Sequence, residues 1–240
     1  LGTLFISDLH LDAARPDISD QFLAFLDTEA RHAEALYILG DLFEAWVGDD
    51  DPEPEKRRVV DALAALASGG PRCFFMRGNR DFLAGPRFAA QARVRILPDP
   101  DVVELYGHRV LLMHGDTLCT DDTGYQDFRR TVRDPAWQQQ FLAQPLSRRL
   151  AMAAQARDAS RRHTGAAAPA IMDVNEKAVV EALRTAGVDT LIHGHTHRPG
   201  VHTHAVDGRE ATRIVLGDWY EQGSVLRWNR TGYSLDALPR

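Results

Sequence analysis

Five short stretches of the chain set carboxylate, amide and imidazole side chains beside glycine. They read Asp8-Leu9-His10, Gly40-Asp41, Gly78-Asn79-Arg80-Asp81, His114-Gly115-Asp116 and Gly194-His195-Thr196-His197. The last lies in LIHGHTHRPG, where three of the ten histidines fall within five residues. Such a patch could be a surface accident, a structural metal clip or part of a catalytic centre. Each stretch alone has an ordinary explanation: Asp8 can cap a strand end, Asp41 and Asn79 are common turn residues, and His114 can be a satisfied core histidine. In order, each following an apolar run, they favour a metal centre. Oxygen and imidazole donors without thiolate suit Mn²⁺, Fe²⁺ or Zn²⁺ at an open site. Asp8, His10, Asp41, Asn79, His114, His195 and His197 are too many donors for one ion. Two divalent ions sharing a bridging carboxylate use them economically, and ions about 3.5–4 Å apart clamp the attacking and leaving oxygens of a displacement at phosphorus. No Walker A loop or Gly-x-Gly-x-x-Gly fingerprint competes with this reading.

The donors need a scaffold that ends several strands at one edge. Apolar runs at 4–6, 35–39, 73–76 and 190–192 read as strands, each ending just before one of the stretches. Helical spacing at 20–30 and 55–67 separates the first three, the second helix stopping at Ser68-Gly69-Gly70-Pro71. Alternating strand and helix predicts an α/β fold with a largely parallel sheet, whose sites form at the carboxyl ends of its strands. Residues 102–105 and 110–113 flank Tyr106-Gly107-His108 as a hairpin, 174–186 is helical, and 201–235 is a run of β segments. In extended backbone, spacing by two turns Asp8 and His10 the same way, and likewise His195 and His197, while His193 faces away and reads as structural.

Residues 120–170 differ: they lack strand signals and carry eight Arg against five Asp. They read as a helical insertion within a single domain spanning 1–240. The insertion is either an amphipathic hairpin facing solvent or a lid.

Composition narrows the class. With 44% hydrophobic and 26% charged residues, the chain is globular and can bury a substantial core without disulfides. Cys73 and Cys119 form neither a framework nor a C-x-x-C pair. No apolar stretch reaches membrane-spanning length, no signal peptide is evident, and a cytoplasmic location is expected. The net charge of −6 argues against nucleic acid as a partner.

The order D-x-H, G-D, G-N, H-G-D, G-H-x-H resembles the calcineurin-like metallophosphoesterase superfamily, across residues 4–197. The resemblance implies a β-sandwich flanked by helices, in layers α/β/β/α. It implies that Asp8, His10, Asp41 and His197 hold one ion and that Asp41 bridges to a second, completed by Asn79, His114 and His195. Mn²⁺ is the implied metal. Where the superfamily commonly has histidine after Gly-Asn, this chain has Arg80, which cannot act as a general acid near neutral pH but forks onto phosphate oxygens. With residues 5–11, 40–50, 114–122 and 191–199, Arg80 makes the chain similar to the lipid A branch of that superfamily, which hydrolyses the pyrophosphate of UDP-2,3-diacylglucosamine by attack at the UMP-side phosphorus.

By position, the resemblance gives Arg80, Asp41 and His195 catalytic roles, and gives Asn79, Arg80, Asp122, Ser160, Thr164 and His195 contacts with substrate. A lysine of the branch's pattern is Ala167 here, with Arg161 and Arg162 as candidates to replace it. Asp81 and Asp116 read as partners that orient ligands. The insertion becomes a lid whose apolar face (Trp137, Phe141, Leu142, Leu146, Leu150, Met152) receives acyl chains. Its arginines would meet anionic headgroups of the inner membrane, with peripheral, salt-sensitive binding, and a monomer is expected. The alternatives are another metallophosphoesterase or a catalytically silent scaffold of the same fold.

Overall fold

Strands buried on both faces carry continuous apolar runs rather than alternation, and β1 (Thr3–Ile6) and β2 (Ala35–Leu39) are buried throughout. The computed structural model describes residues 2–166 and 173–239, without the side chains at 161 and 163–166. β1, β2, β3 (Arg72–Met76) and β4 (Arg95–Leu97) run parallel, in registers such as Leu4↔Leu36, Leu36↔Cys73 and Phe75↔Ile96. The crossovers are α1 (Pro16–Thr28), α2 (Pro54–Ser68) and α3 (Pro86–Ala92), each with proline in its first turn, where the missing N–H costs nothing. Helix α1 therefore starts four residues before the periodicity suggests. Seven-residue α3 and three-residue β4 are too short for periodicity to reveal.

These four parallel strands make up most of the first sheet, whose other edge is antiparallel. β10 (Gly223–Asn229) pairs antiparallel with β1, and β11 (Gly232–Leu238) extends it, giving six strands in the order β11-β10-β1-β2-β3-β4. A second sheet of five contains β5 (Asp101–Leu105), β6 (His108–Leu112), β7 (Thr190–His193), β8 (Gly200–Val206) and β9 (Arg209–Val215), ordered β5-β6-β7-β9-β8. The expected hairpin is β5–β6, closed as Leu105↔His108. Helix α7 (Glu176–Ala186) starts where the Asn175 side chain accepts from Lys177 N and Ala178 N, and ends at left-handed Gly187.

Three apolar layers hold these elements together. Phe5, Leu39 and Met76 meet Val110, Leu112, Ile192 and Ile214 between the two sheets. Phe22, Phe25, Val59, Leu63 and Phe88 seal the helices over the first sheet, and Val179 and Leu183 seal α7 over the second. Each such side chain contributes about 1.5–3 kcal/mol by leaving water. The result is the α/β/β/α sandwich.

The insertion is three helices: α4 (Thr123–Arg133), α5 (Pro135–Leu142) and α6 (Leu146–Ala166). Asp122 and Asp134 cap α4 and α5 through Tyr125 N and Trp137 N, both at 2.9 Å. Half of the expected apolar face turns inward: Trp137, Phe141 and Leu146 pack on the main core, while Leu142, Leu150 and Met152 are exposed. The arginines divide similarly. Arg129 reaches Asp116 at 2.7 Å, Arg133 donates to Gly78 O at 2.9 Å, Arg149 donates to Val47 O at 2.7 Å and to Asp50, and Arg157 lies 3.5 Å from Asp12. These arginines clamp the insertion onto loops that follow β1, β2, β3 and β6. Solvent-facing periodicity hid this because the acceptors are distant in sequence. No helix among the described residues is long and apolar enough to cross a membrane.

Candidate metal centre

All seven candidate ligands lie on loops just beyond the carboxyl ends of β1, β2, β3, β6 and β7. The spacing argument reaches the right convergence by the wrong backbone. Asp8, His10, Asp41, His195 and His197 are not extended: their φ values of 57°, 51°, 51°, 68° and 55° are left-handed. Non-glycine residues hold that region at a cost of order 1–3 kcal/mol only where surrounding structure over-determines them. Here the loops brace one another. Asp8 N donates to Gly40 O (3.1 Å), His10 N to Asp41 O (3.0 Å), Gly194 N to His114 O (2.9 Å), and His195 N to Asp8 Oδ2 (2.8 Å). Two glycines permit the approach: a Cβ on Gly78 would sit 2.1 Å from Asp41 Oδ1, and one on Gly194 2.3 Å from Asp8 Oδ2.

The donor atoms fall into two clusters. In the first, His10 Nε2 lies 3.2 Å from His197 Nε2, 3.7 Å from Asp41 Oδ2 and 4.0 Å from Asp8 Oδ1, and His197 Nε2 is 3.5 Å from Asp8 Oδ1. In the second, Asn79 Oδ1 lies 2.9 Å from both His114 Nε2 and His195 Nδ1, and His114 Nε2 is 3.7 Å from Asp41 Oδ1. Asp41 thus turns one oxygen to each cluster. Donors bonded at about 2.0–2.2 Å to one ion stand at such mutual distances. Asp8 Oδ1 is buried with no hydrogen-bond partner among the described residues, which fits a cation beside it. The residues present therefore fit two divalent ions.

The electrostatics agree. Burial alone would raise the Asp8 carboxyl, but the adjacent His197, with the charges of His114 and His10, holds it well below the usual range. Burial opposes protonation of His114, yet Asp41, Asp116 and Asp8 raise it to about 9. The field that draws a proton there would draw a dication. Burial and the His114 charge push His195 down to about 4, keeping it neutral near pH 7.

Several functional residues escape a reading of the sequence. Glu44 Oε2 lies 3.0 Å from His10 Nδ1, brought there by a parallel bridge, Leu11↔Phe43, and by Glu44 N donating to Leu11 O at 3.1 Å. Its carboxyl stays below the ordinary value because the His10 hydrogen bond and the Arg80 charge outweigh burial. Asp218 Oδ2 lies 3.5 Å from His197 Nδ1, and Tyr220 stacks on His10 with centroids 5.2 Å apart. Glu44 was visible only as part of residues 40–50; nothing local marked Asp218.

Asp81 accepts from Gly78 N (2.8 Å), Leu42 N (2.7 Å), Asp41 N (3.3 Å) and Phe43 N (3.4 Å), tying two ligand loops together. Asp116 does not orient a ligand: its partners are Tyr125 Oη and Arg129 Nε, both at 2.7 Å, so it anchors α4. His193 is buried away from the centre, with Nδ1 2.8 Å from Gly194 O and Nε2 3.3 Å from Arg213. Arg80 N donates to Asp41 Oδ1 at 2.8 Å, and its buried Nε has no partner among the described residues. Asp122 is buried at the α4 cap and Ser160 is half-buried on α6. The Thr164 side chain and Ala167 lie outside the described residues.

A sandwich with this donor set at one edge defines a metallophosphoesterase. The family model for calcineurin-like phosphoesterase matches residues 2–199, and the chain belongs to that family. It is 56% identical to the UDP-2,3-diacylglucosamine hydrolase of Stenotrophomonas maltophilia (strain K279a), over 100% of each chain. It is 57% identical to the protein of that name in Xanthomonas oryzae pv. oryzae (strain PXO99A), over 98% of each. The fold is similar to that of an archaeal phosphodiesterase, with TM-score 0.50 at 13% identity, over 99% of this chain and 100% of that one.

Proposed function

We propose that the chain hydrolyses the pyrophosphate bond of UDP-2,3-diacylglucosamine, giving UMP and 2,3-diacylglucosamine 1-phosphate in lipid A synthesis, with two divalent ions, preferably Mn²⁺. The observation that carries the reading is Asp41, with Oδ2 3.7 Å from His10 and Oδ1 3.7 Å from His114. Such ions, when bound, supply an activated water near neutral pH and neutralise charge on phosphoryl oxygens.

The chain's own residues do the remaining work. Asp8, His10, Asp41 and His197 hold one ion, and Asp41, Asn79, His114 and His195 the other. Arg80, with its unpartnered Nε, forks onto phosphate oxygens and stabilises charge without giving up a proton. Attack falls on the UMP-side phosphorus, with His195 touching a phosphate oxygen. Asp122, Ser160 and Thr164 bind the glucosamine and phosphate region.

The insertion serves as the lid. Its inward half is committed to packing, which leaves Leu142, Leu150 and Met152, joined by Phe128 at 48% exposure, for acyl chains and lipid. Contact with the cytoplasmic face of the inner membrane is then peripheral and salt-sensitive, and the chain acts as a monomer.

The test is UMP release from UDP-2,3-diacylglucosamine in detergent, with Mn²⁺ or with EDTA, beside UDP-N-acetylglucosamine and p-nitrophenyl phosphate. Mn²⁺-dependent cleavage of the acylated substrate alone is expected. Turnover of the simple ester alone would keep the metal centre and refute the lipid substrate. No turnover of any would leave a silent scaffold.

A further inference from the structure

The two clusters are alike in donor number but unlike in what stands behind the donors. His10 is backed by a carboxylate, Glu44, at 3.0 Å from its Nδ1, and His197 by Asp218 at 3.5 Å. His114 is backed by a neutral carbonyl, Leu39 O, at 2.9 Å. A carboxylate behind an imidazole fixes its tautomer and raises its basicity toward a metal, whereas a carbonyl chiefly fixes orientation. His10 is further held flat against Tyr220, the rings inclined by 18°.

The direct donors lean the same way. Beyond the shared Asp41, the first cluster has the Asp8 carboxylate, with Oδ1 3.5 Å from His197 Nε2, whereas the second cluster's own oxygen donor, Asn79, is a neutral amide; Asp8 also comes within 4.8 Å of the Asp41 and His114 donor atoms. Asp116, on the same loop as His114, is largely compensated, with Arg129 at 2.7 Å and Arg133 at 3.9 Å. Asp218 and Glu44 meet no arginine at ion-pair distance among the described residues.

We infer that Glu44 and Asp218 are positioning residues that make the Asp8–His10–His197 cluster the tighter of the two, so that the ions load in a fixed order with that cluster filled first. This rests on the two-ion reading of the centre. Glu44 has the larger effect, because it is closer and less exposed, at 17% of its side chain against 26% for Asp218.

The test is Mn²⁺ titration of the full chain after EDTA treatment and desalting, following free Mn²⁺ by electron paramagnetic resonance. Two steps of one ion each are expected. Glu44→Gln keeps size and hydrogen-bonding reach but removes the charge, and should weaken the first step roughly 10- to 100-fold. Asp218→Asn should weaken the same step by less. Asn79→Ala should erase the second step and spare the first. Metal-free unfolding curves that match wild type separate this role from a merely structural one.

Equal affinities in the wild type would overturn the inference, as would an unchanged first step in Glu44→Gln or loss of the tighter step in Asn79→Ala. If Glu44→Gln does not fold, the wild type, Asp218→Asn and Asn79→Ala still decide the matter. Binding of fewer than two ions by the wild type would instead refute the two-ion reading itself.

Discussion

Gly78→Ala should disable the centre through one added methyl group. The new Cβ would lie 2.1 Å from Asp41 Oδ1 and 2.3 Å from Asp41 N. Ordinary contact begins near 3.4 Å, so the β3 loop and the Asp41 loop must part by about 1 Å. Neither can yield cheaply, because one of the two atoms is backbone and Asp81 ties both loops with hydrogen bonds of 2.7–3.4 Å. Overpacking of this kind costs about 1–3 kcal/mol. The functional cost is larger, because the displaced group is the ligand shared by both ions, and a 1 Å misplacement costs on the order of 100-fold in rate. Three assays are needed on one preparation: metal content after gel filtration, UMP release and urea unfolding. The expected result is fewer than two ions per chain and a rate fall of about two orders of magnitude, with modest loss of stability. Gly124→Ala is the control, since its Cβ meets nothing nearer than Asp122 Oδ1 at 3.8 Å. Because it lies in the first turn of α4, it should change stability by less than the roughly 0.5–1 kcal/mol of a mid-helix position and leave metal content alone. A Gly78→Ala protein with two ions and full rate would refute the close-approach argument.

Arg149→Met should cost about 2 kcal/mol, chiefly by stranding the buried Val47 carbonyl, since half-exposed Asp50 can return to water; urea unfolding and faster amide exchange in α6 would show it. Metal-free stability should fall with acid: burial holds folded His193 at about 3, below an unfolded value of about 6.5, so the unfolded chain alone takes up that proton between the two. Each such group contributes up to about 1.4 kcal/mol per pH unit, and His193→Asn should flatten the slope of stability measured from pH 6.5 to 4.5. Metal binding at pH 7.5 should release protons, because His114 sits near 9 in the metal-free chain and must be neutral to ligate; calorimetry in buffers of different ionisation enthalpy reads this directly.

Much of the centre was legible because each ligand follows an apolar run and stands beside or near a glycine. The order of those runs carried the convergence at one edge. What carried less was backbone conformation: residue type does not announce that Asp8 and His197 take φ values of 57° and 55°. Glu44 and Asp218 were hidden for a different reason. They touch ligands rather than ions, and Glu44 meets His10 across 34 residues of sequence. Tertiary pairing also reversed part of the insertion. Arg129, Arg133, Arg149 and Arg157 look like a solvated basic face in sequence, yet each reaches a loop of the domain. The antiparallel β10–β11 edge was visible as β segments, but their joining the first sheet beside β1 depends on long-range contacts that no local pattern encodes.

The account turns on Asp41 serving two ions at once. Crystals soaked in Mn²⁺ and recorded for anomalous scattering test this most directly. The account predicts two peaks about 3.5–4 Å apart, one beside each Asp41 oxygen, the first among Asp8, His10 and His197 and the second among Asn79, His114 and His195. A single peak, or two peaks of which one lies away from Asp41, would contradict it.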